Sequence, residues 1–306
     1  MTEAATRARA DLRRASERYE STPAEGIETR HAFSFSGHYD PKNVHFGALL
    51  AVNEETLAPG AGYDDHKHRD TEILTWVLSG ALAHRDGHGH AGVVRPGMLQ
   101  WQSASGITHT ERNVGGAAEP VRFVQMWLQP DVFDAPPAYG LRRVERAADG
   151  LTLLASGLTR DAASEALRLR RGDAALWLVT AGPWEPLPPL PEAPFRYAHL
   201  TAGSLGYRTV PGPQGGGRSM EPGDSVRATG DAFADPTAGA DGVELLFGRC
   251  THPSHTADPK WLRSGARGTA RRSGVRVTAK VPDHPCTDHL FRGRRRSSPS
   301  PWWWLP

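Results

Sequence analysis

Gly60-Ala-Gly-Tyr-Asp-Asp-His66-Lys-His68-Arg-Asp-Thr-Glu72 and Gly106-Ile-Thr-His109-Thr-Glu111-Arg-Asn113 bound the stretch that decides the fold of this chain. Side chains on an extended strand alternate between two faces, so His66 and His68 share a face, as do His109 and Glu111. Brought together across a sheet, the two pairs make a site of three imidazoles and one carboxylate with room for water or substrate. Such a donor set suits iron, nickel, copper, manganese or zinc; calcium and magnesium prefer all-oxygen shells. Glu72 has the same parity as His66, so alternation alone leaves it as a second candidate carboxylate.

Outward from the histidines the chain reads as short strands. Glu72-Ile-Leu-Thr-Trp-Val-Leu78 is rich in β-branched and aromatic residues and stops at Gly80. Ala81 to Arg85 turns at Asp86-Gly87, a hairpin signal, and Val93-Val94 leads into Arg95-Pro-Gly97. Thr29 to Ser36 alternates, Phe46 to Val52 is a buried strand candidate before Asn53-Glu-Glu and the Pro59-Gly60 turn, and Val121 to Leu128 is another strand. Short strands at this spacing describe a small antiparallel barrel or jelly roll over residues 26–130. Residues 131–150, with their prolines, read as a linker.

A second β-rich passage, residues 151–248, includes Ala174 to Thr180, Phe195 to Leu200 and Val243 to Phe247, and its Glu221-Pro-Gly-Asp224 echoes the Arg95-Pro-Gly97 turn. Its one histidine between Leu151 and Phe247, His199, is expected to be structural, so no metal is assigned to this half. At the amino end, residues 1–25 read as a frayed or surface helical segment. Past Gly248 the periodicity is lost, and residues 249–306 are expected to be a disordered basic tail. Cys250, His252 and His255, with His284, Cys286 and His289, match no standard finger spacing, so no zinc is expected there.

At 306 residues the chain is long enough for two domains, and the fold class is all-β. The net charge of +2 hides an asymmetry: from Arg249 onward ten arginines and two lysines face three aspartates, while the first 248 residues carry a net −7. The basic balance thus belongs to the tail, and the body is not expected to bind nucleic acid. Both cysteines lie in the last quarter, which fits a reducing compartment; with no apolar run long enough to span a bilayer, the expectation is a cytoplasmic protein without a membrane partner.

The motif Gly60, five residues, His66-x-His68, three residues, Glu72, then Gly80 resembles the first cupin motif, and Gly106-x-x-His109-x-x-x-Asn113 resembles the second half of the other. More narrowly, Arg30-His-Ala-Phe-Ser-Phe, His38-Tyr-Asp-Pro, His66 to Ile73, Leu78-Ser-Gly-Ala-Leu82, His84-Arg-Asp, Val94-Arg-Pro-Gly97 and His109-Thr-Glu111 together resemble the pirin family. The resemblance implies a bicupin, two small barrels in tandem, with one mononuclear metal, most often Fe(II), in the first. It implies His66, His68, His109 and Glu111 as ligands, with Glu72 close behind them in the second shell. Lys67 stands where the family commonly has proline, and should charge the rim. The small-residue run Ser103 to Gly106 is one residue shorter than usual, and the missing residue must fall in a turn for the site to survive. Nothing in the family corresponds to residues 249–306.

The resemblance also implies an oxygenase that opens flavonols such as quercetin with dioxygen, with Glu111 as general base. Trp76, Trp101 and Trp127 are candidate pocket aromatics. The alternative it carries is a non-enzymatic iron-containing regulator that binds a protein partner. His31, His38, His45, His84, His88 and His90 are read as outer or surface groups, with His88 and His90 on an exposed hairpin tip. A monomer is the default.

Overall fold

The computed structural model describes residues 8–210 and 217–254. Strands β1 (Arg9–Arg13), β2 (Tyr19–Ser21), β3 (Ile27–His31), β4 (Leu49–Leu57), β5 (Gly62–Ser79), β6 (Leu82–Asp86), β7 (Ala91–Val94), β8 (Met98–Asn113), β9 (Val121–Leu128) and β10 (Ala138–Arg143) make up the first half. The second half supplies β11 (Leu151–Ser156), β12 (Leu167–Arg168), β13 (Ala175–Ala181), β14 (Phe195–Thr209), β15 (Gly217–Met220), β16 (Ser225–Thr229) and β17 (Phe233–Cys250). They form two sheets, in the orders β2-β3-β4-β9-β5-β8-β6-β7 and β1-β16-β14-β17-β13-β11-β12, with β10 added beside β8 and β15 beside β14. Every pair is antiparallel except β11 with β12. This is the all-β bicupin architecture expected from the sequence.

Three local expectations need correction. The amino-terminal segment, read as helical, carries β1, which pairs with β16 from Arg9 opposite Thr229 to Arg13 opposite Ser225. The edge of β16 offers backbone partners, and Ala10 and Leu12 pack on the second sheet's core, so tertiary contacts override local helix propensity. The proline-bearing stretch 131–150 contains β10, which pairs with β8 from Ala138 opposite Ser103 to Arg143 opposite Met98. The tail boundary also moves: Arg249 and Cys250 complete β17, and the buried Cys250 Sγ accepts the Ala48 N–H at 3.2 Å. Burial raises its thiol to about 11, which leaves it a packing group. His255, His284, Cys286 and His289, and the rest of residues 255–306, lie outside the described residues.

The sheets pack face to face. Leu74, Trp76, Leu99, Trp101 and Met126 from the first meet Leu154, Leu169, Leu176 and Leu246 from the second in one buried cluster. Trp76 and Trp101 therefore belong to this core and line no pocket at the histidines.

The long β5–β8 pair carries three irregularities, one between Tyr63 and His66 and two that lie next to each other past His68. His68 pairs with Ile107, Arg69 with Ser105, and Thr71 with Ala104, so Gly106 is skipped on one strand and Asp70 on the other. Both have positive φ, +76° at Gly106 and +52° at Asp70. Each extra residue exchanges the faces of its strand. On β5, His66 and His68 face one way while Glu72, Leu74 and Trp76 face the other, into the inter-sheet core. The Ser103 to Gly106 run lies inside β8, where a turn had been expected, and this pair of bulges restores the register around it.

Glu72 consequently points away from the histidines. It is fully buried, and it accepts Trp101 Nε1–H at 2.8 Å, Arg170 N–H at 2.8 Å and Arg171 N–H at 2.6 Å. It ties the first sheet to the second and is not an outer group of the metal site. Glu72→Ala leaves three buried donors unpaired, and the expected loss is roughly 2–4 kcal/mol of stability in urea unfolding. Any metal bound at the histidines should stay unchanged in content; a variant of normal stability that bound none where wild type did would contradict the placement of Glu72.

Candidate metal centre

Pairing of β5 with β8 sets His66 directly opposite His109, with His68 two residues along on the same face. The ring centroids of His66, His68 and His109 lie 4.2 to 4.8 Å apart, and one nitrogen from each lies within 4.8 Å of the others. Gly62 makes the strand approach possible, since a Cβ there would come within 2.2 Å of the Glu111 carbonyl oxygen. His109 is buried; His66 and His68 are half-buried, and Lys67 is exposed between them.

Hydrogen bonds assign the tautomers. His66 Nδ1–H donates to the Asp64 carbonyl at 2.8 Å, which leaves Nε2 with its lone pair. His109 Nε2 lies 3.4 Å from the Gln102 amide nitrogen, which can only donate, so His109 Nδ1–H donates to His84 Nδ1 at 3.2 Å. His84 Nε2 is then protonated and faces Asp86 at 3.7 Å. A ligating histidine held through its other ring nitrogen is the usual arrangement around a metal. Burial lowers the pKa of all three imidazoles: His68 falls to about 3, with His66 and His84 adding to the effect, and His109 falls well below the usual range. Neutral imidazoles close together, with lone pairs available, are the protonation state that a metal requires.

Glu111 stands differently. With His84 and His109 it forms a second close group, all within 4.8 Å, next to the three-histidine group. Gln125 Nε2 donates to both of its oxygens, at 3.1 and 3.2 Å, and Gln125 Oε1 accepts Trp127 Nε1–H at 2.8 Å. The Trp127 ring in turn meets His68 at 4.6 Å, so Trp127 alone of the candidate tryptophans touches the site. Burial raises the Glu111 carboxyl to about 7, with the neighbouring Glu55 charge adding to it and Gln125 opposing. Glu55 is likewise pushed up to about 7 by burial, although Tyr63 Oη–H at 2.6 Å and Thr29 Oγ1–H at 2.9 Å both donate to it. The Tyr63 ring lies 5.6 Å from His66. Two buried acids beside neutral imidazoles, with no basic side chain bonded to either acid among the described residues, make a donor set that fits a divalent transition metal.

His84, expected to be an outer or surface group, is an outer one: it is buried and bonds His109 directly. Other residues escaped the sequence reading. Gln125 had a legible signal, a lone amide inside the apolar run Val121 to Leu128. Asn53-Glu-Glu read as the end of a strand, whereas β4 continues through it and turns Glu55 toward the site. His88 is exposed at the hairpin tip as expected, but His90 is half-buried against Asp86 and Tyr139.

Between the ordinary carboxyl value of 4.5 and about 7, the folded metal-free chain keeps a proton on Glu55 that the unfolded chain releases. The Glu55 contribution to stability should therefore fall as pH rises through that window, by on the order of 1–3 kcal/mol, while the depressed histidines contribute in the opposite direction. Urea unfolding of apo-protein at several pH values tests this; Glu55→Gln should gain stability relative to wild type as pH rises from about 4.5 to about 7, and a difference that does not change with pH would locate the titration elsewhere.

Comparison with known proteins places the geometry. The Pirin family profile matches residues 12–128. A Mycobacterium tuberculosis protein, provisionally named a quercetin 2,3-dioxygenase, is 40% identical over 240 residues, which is 78% of this chain and 93% of that protein. The Escherichia coli quercetin 2,3-dioxygenase is 36% identical over 151 residues, 49% of this chain and 64% of its own. The crystal structure of the Escherichia coli pirin YhhW in complex with nickel(II) superposes with a TM-score of 0.68 at 28% identity, covering 79% of this chain and all of that one. By its identity to a relative that it spans almost end to end, the chain belongs to the pirin family.

Proposed function

We propose that this chain holds one divalent transition metal, Fe(II) by preference, on His66, His68, His109 and Glu111, and opens flavonols such as quercetin with dioxygen. The observation that carries the reading is the convergence of three neutral imidazoles within 4.8 Å, with an acid whose carboxyl is lifted to about 7 bonded to the same network. The names of the mycobacterial and Escherichia coli relatives support the reaction class, and the nickel(II) complex of YhhW supports the binding of a transition metal. The reducing compartment expected from cysteine usage suits a ferrous site, and the protein is proposed to be cytoplasmic; among the described residues no helix is long and apolar enough to cross a membrane.

The metal supplies Lewis acidity, which lowers the pKa of a flavonol 3-hydroxyl bound beside it. The protein supplies the rest. Glu111 takes the hydroxyl proton on a carboxylate oxygen, as a general base within reach of the bound hydroxyl. Gln125 orients the carboxylate through its Nε2, and Trp127 fixes Gln125 while packing on His68. His84 holds His109 in the tautomer whose Nε2 carries the lone pair, which faces the Gln102 amide at 3.4 Å and would turn to a metal once one is bound. Dioxygen then attacks the flavonolate, and ring opening releases carbon monoxide.

Oxygen uptake on addition of quercetin to Fe(II)-loaded protein tests the proposal. Wild type should consume oxygen over repeated turnovers, and Glu111→Gln should lose about 10²–10⁴-fold in rate. No uptake by protein carrying one iron per chain would overturn the enzymatic reading in favour of a metal-bearing regulator. Gln125→Leu removes only the support for Glu111 and should lower metal affinity or rate by about 10–100-fold. Unchanged affinity and rate in that variant would show that Gln125 does not position the carboxylate.

A further inference from the structure

A row of rings leads away from the three histidines. His68 meets Trp127 edge to face at 4.6 Å between centroids, and Trp127 meets Phe35 in the same manner at 5.0 Å. Phe35 stacks on His31 at 5.3 Å, His31 on Tyr19 at 5.7 Å, and Tyr19 on His38 at 4.3 Å. All of these spacings belong to rings in direct contact. The row begins at a largely buried indole, Trp127 at 8% exposure, and reaches solvent at Tyr19, which is 41% exposed. Its members are pinned: Trp127 by Gln125 Oε1, and His31 by Asn53 Oδ1 at 3.0 Å and Ser21 Oγ at 2.7 Å. Packing alone would be served by any apolar side chains. Here an indole and a phenol, the most readily oxidised of the aromatic side chains, stand at the two ends of a ring bridge.

We infer that this row is an electron path that drains oxidising equivalents from the metal position to the surface, with Trp127 and Tyr19 as stepping points and Phe35 and His31 as the bridge. The inference rests on the metal placement proposed above. Were Fe(II) held by these histidines and oxidised by two electrons by hydrogen peroxide, whose O–O bond would break as it is reduced to water, the Trp127 indole would supply one electron back to it when no flavonol is bound. The indole cation takes one electron from Tyr19 across the Phe35 and His31 rings, and the phenolic proton of Tyr19 leaves to water. A thiol at the surface returns a hydrogen atom to the tyrosyl oxygen, which restores the phenol and leaves a thiyl radical. One electron has then passed from the thiol to the metal, and one proton to water.

The test treats Fe(II)-loaded full-length protein with hydrogen peroxide in the absence of flavonol, with a nitrone spin trap and with ethanol to consume free hydroxyl radicals. Trapped adducts are mapped by mass spectrometry, and iron content is measured in the same samples. Tyr39 is the internal reference, being 75% exposed and outside the row. Tyr19 should carry several-fold more adduct than Tyr39. Phe35→Leu, which keeps an apolar side chain and removes the bridging ring, should lower the Tyr19 adduct several-fold and raise oxidation of Trp127, with iron content unchanged. Tyr19→Phe should also shift oxidation to Trp127. Equal labelling of Tyr19 and Tyr39, or labelling indifferent to Phe35→Leu in iron-loaded protein, would overturn the path; wild type that binds no iron would overturn the metal placement and the path with it.

Discussion

The paired bulges at Asp70 and Gly106 are the constraint on which the rest of this structure depends. One end of β5 and β8 must show histidines to the candidate metal side of the sheet, and the other end must show Leu74, Trp76, Leu99 and Trp101 to the second sheet. A regular strand whose polar and apolar residues fall on the same parity cannot do both. Adding one residue to each strand at nearly the same level flips both faces together and leaves the pairing register unchanged beyond the bulges. Without the flip, Glu72 would sit beside His68 and the inter-sheet core would lose its side chains to the site.

The flip also places polar groups where the barrel is dry. Gln100, Gln102, Gln125, Glu55, Glu111 and His84 are all buried on or near the metal side. Burial of such groups is costly unless they are bonded, and most are, in short chains: Trp127 to Gln125 to Glu111, Gln102 to His109 to His84, Tyr63 and Thr29 to Glu55, and Tyr139 to Gln100; among the described residues Gln100 Nε2, Gln102 Oε1 and His84 Nε2 are left without a hydrogen bond. The same burial that keeps the imidazoles neutral raises the two acids. A divalent cation would relieve both effects, since it accepts imidazole lone pairs and favours an ionised Glu111.

The second sheet supports the first from behind. Glu72 reaches across to the backbone of Arg170 and Arg171, and a trio of buried Arg18 and His199 with half-buried Glu54 bridges β4 to β14. His199 is 2.9 Å from Glu54, and that contact helps hold the Glu54 carboxyl at about 2 against the opposing effect of burial. The lone histidine of the second half is thus a structural group. With β1 added to the second sheet and β2 to the first, the amino-terminal segment contributes to both sheets.

What the sequence determined by itself was whatever local chemistry dictates: strand periodicity, the Asp86-Gly87 turn, and the residue types able to hold a metal. The pairing of His66 with His68, and of His109 with Glu111, followed from period-2 alternation over short unbroken stretches. Tertiary structure decided everything that alternation could not carry past an irregularity. Asp70 adopts positive φ because of how β5 pairs with β8, and nothing in its own chemistry demands that; so the true face of Glu72 was hidden. The strand at Arg9–Arg13 exists because β16 offers it an edge, and Gln125 matters because a neighbouring strand delivers Glu111 to it. These outcomes depend on partners distant in sequence, and a single stretch of residues does not contain them.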